Sequence, residues 1–149
     1  MSDCEIDLDQ VDLVASDMAA TLAFYRALGI DIPEEAIWST PTGAHHVDIT
    51  MPSGLVFHFD SEPMTKVYDR GWEAPTGTGT RTVLSFKVPS RDEVDRIHGA
   101  MTDLGYRCPQ PPYDTFWGAR YTILEDPDGN HIGVMSPLDP ALRSAPPDL

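Results

Sequence analysis

An internal repeat constrains the fold of this chain more than any other feature of its sequence. Four landmarks recur at an offset of 75 or 76 residues: Leu28–Gly29 with Leu104–Gly105, Pro33 with Pro109, Pro52 with Pro127, and Gly54 with Gly129. A fixed offset between turn and helix-ending residues indicates two copies of one supersecondary unit. The sequence therefore predicts two modules with the same order of elements.

The first module covers about residues 7–61 and begins with a strand. In residues 10–15 the apolar Val11, Leu13 and Ala15 alternate with other residues, as in a half-buried strand. A helix is predicted over 19–28, with Asp17 as its N-cap and Gly29 at its C-terminal end. Three further strands are predicted at 34–39, 45–51 and 55–61, with a tight Pro52–Ser53–Gly54 turn between the last two.

The second module covers about residues 81–137 and repeats this order. Alternation over 82–88 predicts its first strand, and Ser90 caps a helix over about 91–104, after which Gly105 ends it. The two modules together predict an α+β chain built from two βαβββ units.

The remaining segments show no periodicity of their own. Residues 62–80 are interpreted as a connector without helix or strand, which is either a plain linker or a flap over a ligand site. Residues 138–149, rich in proline, are predicted to form an extended and partly disordered tail. We expect the 149 residues to form a single domain.

The charge of the chain limits its partners. The net charge is −14 with only ten Lys and Arg, whereas a nucleic-acid binder needs a basic face, so we expect neither nucleic acid nor a membrane as partner. The acidity favours cationic ligands or serves solubility alone. The N-terminal residues lack a signal-peptide pattern, and Cys4 and Cys108 are interpreted as reduced, so we expect the chain in the cytosol.

Two segments resemble the opening and closing motifs of a known family. Residues 17–29, DMAATLAFYRALG, resemble the D-x-x-x-S-x-x-F-Y-x-x-x-L-G opening of vicinal oxygen chelate modules. Residues 116–120, FWGAR, followed by 125–131, EDPDGNH, resemble their W-G-x-R … D-P-D-G-N ending. The chain is identified on these motifs as a member of the vicinal oxygen chelate superfamily of glyoxalases, bleomycin resistance proteins and extradiol dioxygenases. The resemblance implies two βαβββ modules in an open, curved mixed sheet, a small-molecule site on its concave side, and a homodimer.

The resemblance also implies where a divalent metal would bind. Family enzymes place ligands on the first and last strand of each module, which here gives Gln10 and His58 in the first module but Val83 and Gly133 in the second. Because a valine and a glycine side chain donate nothing to a metal, we expect no metal cofactor. If a metal is present, Gln10 and His58 are the expected ligands. A metal site that departs from the family pattern could instead use His131, two residues before Gly133, and Ser85, two residues after Val83.

Strand alternation indicates the face that would contact a ligand. The residues predicted to bind a ligand are six polar residues of this face, together with one aromatic and one cationic residue near it. They are Gln10, Asp12, His46, Asp48, His58 and Asp60, with Trp117 and Arg120. Three carboxylates beside aromatic edges from Trp117, Phe116 and Tyr113 favour a cationic or aromatic small molecule. Arg120 and Lys87 would favour an anion instead. A plain solvated sheet face gives the same alternation.

Three functions are consistent with these residues. The first is a protein that binds and sequesters an antibiotic-like compound or a metabolite without a complete metal site. The second is a metal-dependent glyoxalase-like lyase, isomerase or dioxygenase with a nonstandard ligand set. The third is metal-free proton transfer with His58 or Asp48 as the base. The sequence does not decide whether the chain is an enzyme.

Overall fold

The chain forms two compact units, Met1–Thr76 and Gly77–Leu149. The computed structural model describes residues 5–77 and 79–148. Each unit contains one mixed sheet of four strands, and each sheet is open. The predicted α+β class and the two βαβββ modules are confirmed, although the strands form two four-stranded sheets.

The first unit follows the predicted element order. Its elements are β1 Gln10–Ala15, α1 Met18–Leu28, β2 Ile37–Thr40, β3 Gly43–Thr50, β4 Val56–Ser61 and α2 Glu62–Tyr68. The sheet order is β1-β4-β3-β2, with β1 parallel to β4 and the other pairs antiparallel. Strand β2 begins later than predicted because Glu34–Ala36 forms a 3-10 turn, in which the Ala36 N–H donates to the Pro33 carbonyl.

The second unit repeats this topology. Its elements are β5 Val83–Lys87, α3 Arg91–Asp103, β6 Gln110–Asp114, β7 Arg120–Glu125 and β8 His131–Met135. The sheet order is β5-β8-β7-β6, with β5 parallel to β8 and the other pairs antiparallel. The register pairs Asp12 with His58 in the first unit and Ser85 with Gly133 in the second.

The helix caps predicted from the sequence are present in both units. The Asp17 carboxylate accepts the Ala20 N–H at 3.0 Å, and Gly29 ends α1 with a φ of 120°. The Ser90 hydroxyl accepts the Glu93 N–H at 3.2 Å at the start of α3. Each cap satisfies a backbone donor that the first helical turn leaves without a partner.

Each sheet buries the face that its helix covers. In the first unit the Tyr25 ring of α1 lies 5.6 Å from the Phe57 ring and 4.9 Å from the Phe59 ring, and all three side chains are buried. The buried side chains of the second unit include Val94, Ile97 and Met101 of α3 and Leu124, Ile132 and Val134 of the sheet. The sheet face turned away from α1 or α3 is called the distal face below. In the first unit strand alternation places on it Gln10, Asp12, His46, Asp48, His58 and Asp60.

The prediction that the connector contains no helix was wrong. Helix α2 spans Glu62–Tyr68, and the Ser61 hydroxyl caps it by accepting the Met64 N–H at 3.2 Å. Pro63 lies in the first turn, where a proline loses no hydrogen bond. Seven residues give too few positions for a helical period to be read from the sequence, so only the cap signalled this helix.

The tail is more ordered than the sequence predicts. The Asp139 N–H donates to the Gly118 carbonyl at 2.9 Å, and the Ser144 N–H donates to the Phe116 carbonyl at 2.9 Å. Gly118 has a φ of 94°, and a Cβ there would meet the Asp139 carbonyl at less than 3.0 Å. A glycine therefore allows the tail to lie against the turn before β7, a long-range contact that local composition does not reveal.

Two further observations concern the whole chain. No helix among the described residues is long and apolar enough to span a membrane. Cys108 is a free thiol, whereas Cys4 lies outside the described residues.

Candidate functional site

The parallel pair of β1 and β4 brings Asp12 and His58 side by side on the distal face of the first unit. His58 Nδ1 lies 3.8 Å from Asp12 Oδ1, and Gln10 Nε2 donates to Asp12 Oδ2 at 3.0 Å. Asp12 and His58 are register partners in the parallel pair of β1 and β4, so their proximity follows directly from the strand pairing. The 3.8 Å between His58 Nδ1 and Asp12 Oδ1 is longer than a hydrogen bond.

The antiparallel pair of β3 and β4 brings His46 and Asp60 together on the same face. His46 Nδ1 lies 2.6 Å from Asp60 Oδ1, and the Tyr68 hydroxyl donates to Asp60 Oδ2 at 2.9 Å. The Asp60 side chain is only 2% exposed. An ionised carboxylate only accepts hydrogen bonds, so beside an ionised Asp60 the Nδ1 of His46 is the donor of this contact.

The two histidines are neighbours. Their rings lie 5.3 Å apart, and His46 Nε2 lies 3.9 Å from Asp48 Oδ1. The structure therefore brings together six of the predicted residues, namely Gln10, Asp12, His46, Asp48, His58 and Asp60. Two of the carboxylates differ in exposure, since the Asp48 side chain is 60% exposed whereas the Asp60 side chain is buried.

Tyr68 belongs to this group and was missed from the sequence. It lies at the end of α2, and its hydroxyl joins Asp60 to the connector. Partial burial is the main cause that raises the pKa of Tyr68, while the Thr65 hydrogen bond lowers it and the contact with Asp60 raises it further. The only sequence signal for this residue was the Ser61 cap, which predicts a helix but not where its last side chain points.

His45 lies on the other side of β3 from His46, as the alternation of strand residues predicts. Its Nδ1 lies 2.7 Å from the Ser61 hydroxyl and its Nε2 lies 2.7 Å from the Thr42 hydroxyl. Two adjacent histidines of one strand thus face different surroundings.

The distal face of the second unit has different chemistry. The Tyr121 hydroxyl and the Ser85 hydroxyl lie 2.8 Å apart above Gly133. A Cβ on Gly133 would meet both oxygens at less than 3.0 Å, so these two side chains fill the space that a larger residue at 133 would need. Tyr121 was also missed, although its alternation with Arg120 and Thr122 along β7 was a usable signal.

Trp117 lies in an aromatic group beside this face. Its ring is 5.9 Å from the Tyr121 ring and 5.2 Å from the Phe116 ring. The Tyr113 ring is 6.4 Å from the Tyr121 ring. Phe116 and Tyr113, the two aromatic residues expected near Trp117, both belong to this group. The group offers ring edges and faces to an aromatic ligand.

The expectation that Arg120 lies on the ligand face was wrong. Its guanidinium binds Asp95 of α3 at 3.0 Å and Asp114 of β6 at 3.2 Å, and hydrogen bonding to Asp95 is the main cause that raises the pKa of Arg120. Since successive strand residues point to opposite faces, Tyr121 occupies the distal face and Arg120 turns toward α3. Arg120 therefore holds the helix to the sheet.

The donor set does not fit the metal site that the superfamily implies. Val83 and Gly133 supply no donor atom, and the hydroxyls of Tyr121 and Ser85 fill the space at Gly133. Across 5–77 and 79–148, no group of three or more His, Cys, Asp or Glu side chains is arranged to hold a metal ion. The four-ligand arrangement of the family enzymes therefore has no counterpart in this donor set.

Comparison with known proteins agrees with the fold and the motifs. The model of the Glyoxalase/Bleomycin resistance protein/Dioxygenase superfamily matches residues 7–134. The match covers most of the chain, and the protein belongs to this superfamily. No curated protein is similar to it at a significant level.

Solved structures with the same fold share little sequence with the chain. A glyoxalase/bleomycin resistance protein/dioxygenase family enzyme from Burkholderia phytofirmans is 20% identical, with a TM-score of 0.70 over 88% of this chain and 98% of that one. A glyoxalase/bleomycin resistance protein/dioxygenase from Nocardioides is 21% identical, with a TM-score of 0.67 over 99% and 92%. Lactoylglutathione lyase from Agrobacterium tumefaciens is 19% identical, with a TM-score of 0.62 over 87% and 92%. Identities this low establish the fold alone.

Proposed function

We propose that this protein binds and sequesters a cationic or aromatic small molecule, an antibiotic-like compound or a metabolite, without a metal. The observation that carries the proposal is the contrast between a donor set that does not fit a metal and a distal face with three carboxylates. Asp12, Asp48 and Asp60 place negative charge beside two imidazoles, in a chain whose net charge is already −14. Such a surface attracts cations and repels anions.

A matched pair of probes tests the charge preference. The cation 4-acetyl-1-methylpyridinium and the anion 4-acetylbenzoate are aromatic ketones of similar size and shape. We expect calorimetry at low salt to give at least about tenfold tighter binding of the cation, and the ratio to shrink at 1 M salt, where the screening length is about 3 Å. Equal affinities, or tighter binding of the anion, would refute the proposal.

Single carboxylates can be tested against a control of equal charge change. Asp48→Asn is expected to weaken binding of the cation several-fold because the half-exposed carboxylate lies on the distal face. Asp31→Asn removes the same charge at an exposed position after α1 and is expected to leave the affinity unchanged. Equal losses in both variants would mean that only the net charge matters.

The absence of a metal is a separate part of the proposal. We expect elemental analysis of the purified protein to find less than stoichiometric Zn, Fe, Mn and Ni, and a chelator to leave the cation affinity unchanged. About one metal ion per chain would instead favour the metal-dependent lyase, isomerase or dioxygenase.

We also expect a homodimer in the cytosol. Each open sheet has two edge strands, β1 and β2 in the first unit and β5 and β6 in the second, and edge strands are commonly covered by pairing. Sedimentation at micromolar concentration tests the mass, and fractionation of the source cells tests the location.

A further inference from the structure

Three side chains of the first unit form a series of hydrogen bonds for which the charge of the binding face gives no reason. The Tyr68 hydroxyl donates to Asp60 Oδ2, and Asp60 Oδ1 accepts from His46 Nδ1 at 2.6 Å. A half-exposed surface histidine needs no buried carboxylate to be stable in water. Burying Asp60 to hold this imidazole costs free energy that two hydrogen bonds must offset.

The series orients the imidazole. His46 Nδ1 faces Asp60, and Nε2 lies on the distal face, 3.9 Å from Asp48 Oδ1. In a neutral imidazole that donates Nδ1–H to a carboxylate, the lone pair is on Nε2. A buried carboxylate that orients an imidazole, with the second ring nitrogen on the ligand face, is the arrangement that general-base catalysis uses.

We propose that His46 is a general base of the first unit, with Asp60 and Tyr68 as its positioning residues, and that it removes a proton from the carbon beside a carbonyl group in a neutral or cationic ligand. The inference rests on the proposed binding function, because the ligand must lie on the distal face. It assigns the base to His46, where the sequence had suggested His58 or Asp48. Asp48 and Asp12 exclude anionic substrates by charge.

The proton transfer balances without a metal, an oxidant or a further reactant. The C–H bond breaks and its proton goes to His46 Nε2, while its electron pair forms the new C–C double bond and the π pair of the carbonyl group moves onto the oxygen. We assign the hydrogen bond to that oxygen to His58, whose ring lies 5.3 Å from the His46 ring and whose Nδ1 lies 3.8 Å from Asp12 Oδ1. In heavy water the His46 proton exchanges with solvent, and return of a deuteron to carbon restores the ketone.

Deuterium exchange into the acetyl methyl group of 4-acetyl-1-methylpyridinium, which lies beside the carbonyl group, measures this step. We expect the wild-type protein to accelerate exchange above the buffer rate, as followed by proton NMR. His46→Asn and His46→Gln are expected to lower the turnover number by roughly 100-fold or to the buffer rate, with the affinity for the probe little changed. Asp48→Asn is expected to raise KM with a smaller effect on kcat.

The control and the positioning residues separate catalysis from stability. His45→Asn changes the adjacent histidine on the other side of β3 and is expected to retain the wild-type exchange rate. Asp60→Asn and Tyr68→Phe are expected to lower kcat, and nitrogen-15 NMR of His46 is expected to show the loss of the fixed Nδ1–H form in Asp60→Asn. Circular dichroism confirms that each variant is folded.

The other possible results of these experiments distinguish failure of the proton-transfer inference from failure of the binding function. Binding of the cation without accelerated exchange overturns the proton-transfer inference and leaves the binding function intact. Exchange that survives in both His46 variants assigns the base elsewhere and also overturns the inference. Failure of the cation to bind overturns the binding function and the inference together.

Discussion

The two units share one topology and differ on their distal faces. At equivalent register positions the first unit has the pair Asp12 and His58, whereas the second has Ser85 and Gly133. The first face carries ionisable side chains in hydrogen-bonded pairs, and the second carries a tyrosine hydroxyl, a serine hydroxyl and aromatic rings. The comparison teaches that the repeat determines the backbone, while single residues at two strand positions determine which chemistry each copy offers.

The largest expected effect comes from the cores, where the two units should behave alike. Phe57 and Ile132 occupy equivalent register positions and are buried, at 3% and 0% exposure. We expect Phe57→Ala to lower the free energy of unfolding by about 3–5 kcal/mol and Ile132→Ala by about 2–5 kcal/mol, because each leaves a cavity. Urea unfolding measures both, with the exposed Val67→Ala as a control near zero. A small loss in one unit only would break the equivalence of the two cores.

The second prediction tests why the second unit lacks a larger residue at position 133. Gly133→His places a side chain where the hydroxyls of Tyr121 and Ser85 lie, and we expect it to destabilise the chain by about 1–3 kcal/mol. Tyr121→Ala in the same chain removes the closest neighbour and is expected to recover most of that loss, as a double-mutant cycle measures. No destabilisation by Gly133→His alone would show that the tyrosine moves aside freely.

The sequence predicted the repeated backbone well because its signals are local. Asp17, Ser90 and Gly29 act within one turn of their helices, and apolar alternation identifies the buried face of a strand without knowledge of its partner. The turn that contains Gly129 joins β7 to β8, which pair from Glu125 and His131 onward. Signals of this kind need no contact between distant residues.

The sequence indicated which side chains of the first unit share a face, but not how those side chains contact one another. Alternation placed His46, His58 and the three aspartates on one face, but it could not show that Asp60 is buried between His46 and Tyr68. That contact joins β3, β4 and α2, and it depends on where a seven-residue helix ends. Arg120 was wrongly assigned to the ligand face, because alternation along β7 places Tyr121 there and turns Arg120 toward Asp95 of α3.

The third prediction compares the two long helices through their caps. Asp17→Ala removes the acceptor for the Ala20 N–H, and Ser90→Ala removes the acceptor for the Glu93 N–H. We expect each to cost about 1 kcal/mol, since one backbone donor loses its partner in each case. Glycine at either position should cost only a few tenths of a kcal/mol. Thermal unfolding of the four variants gives the comparison, and a cost confined to one helix would show that only that copy depends on its cap.

The smallest expected effect concerns Tyr68, whose hydroxyl reaches the distal face of the first unit from α2 and bonds a buried carboxylate there. Partial burial first, and then the neighbouring Asp60 carboxylate, raise the pKa of this hydroxyl above its ordinary value of about 10. The folded state therefore prefers the neutral phenol, and the resulting stability is fully present below about pH 10 and is lost as the pH rises through the raised pKa. Because the side chain is 53% exposed, solvent screens the interaction and the loss should be small. Tyr68→Phe has no proton to lose, so its free energy of unfolding should fall less steeply than that of the wild type above pH 10, as urea titrations at stepped pH would measure. Parallel curves for the two proteins would mean that the Tyr68 hydroxyl ionises in the folded chain as it does in the unfolded one, and that Asp60 holds His46 without help from α2.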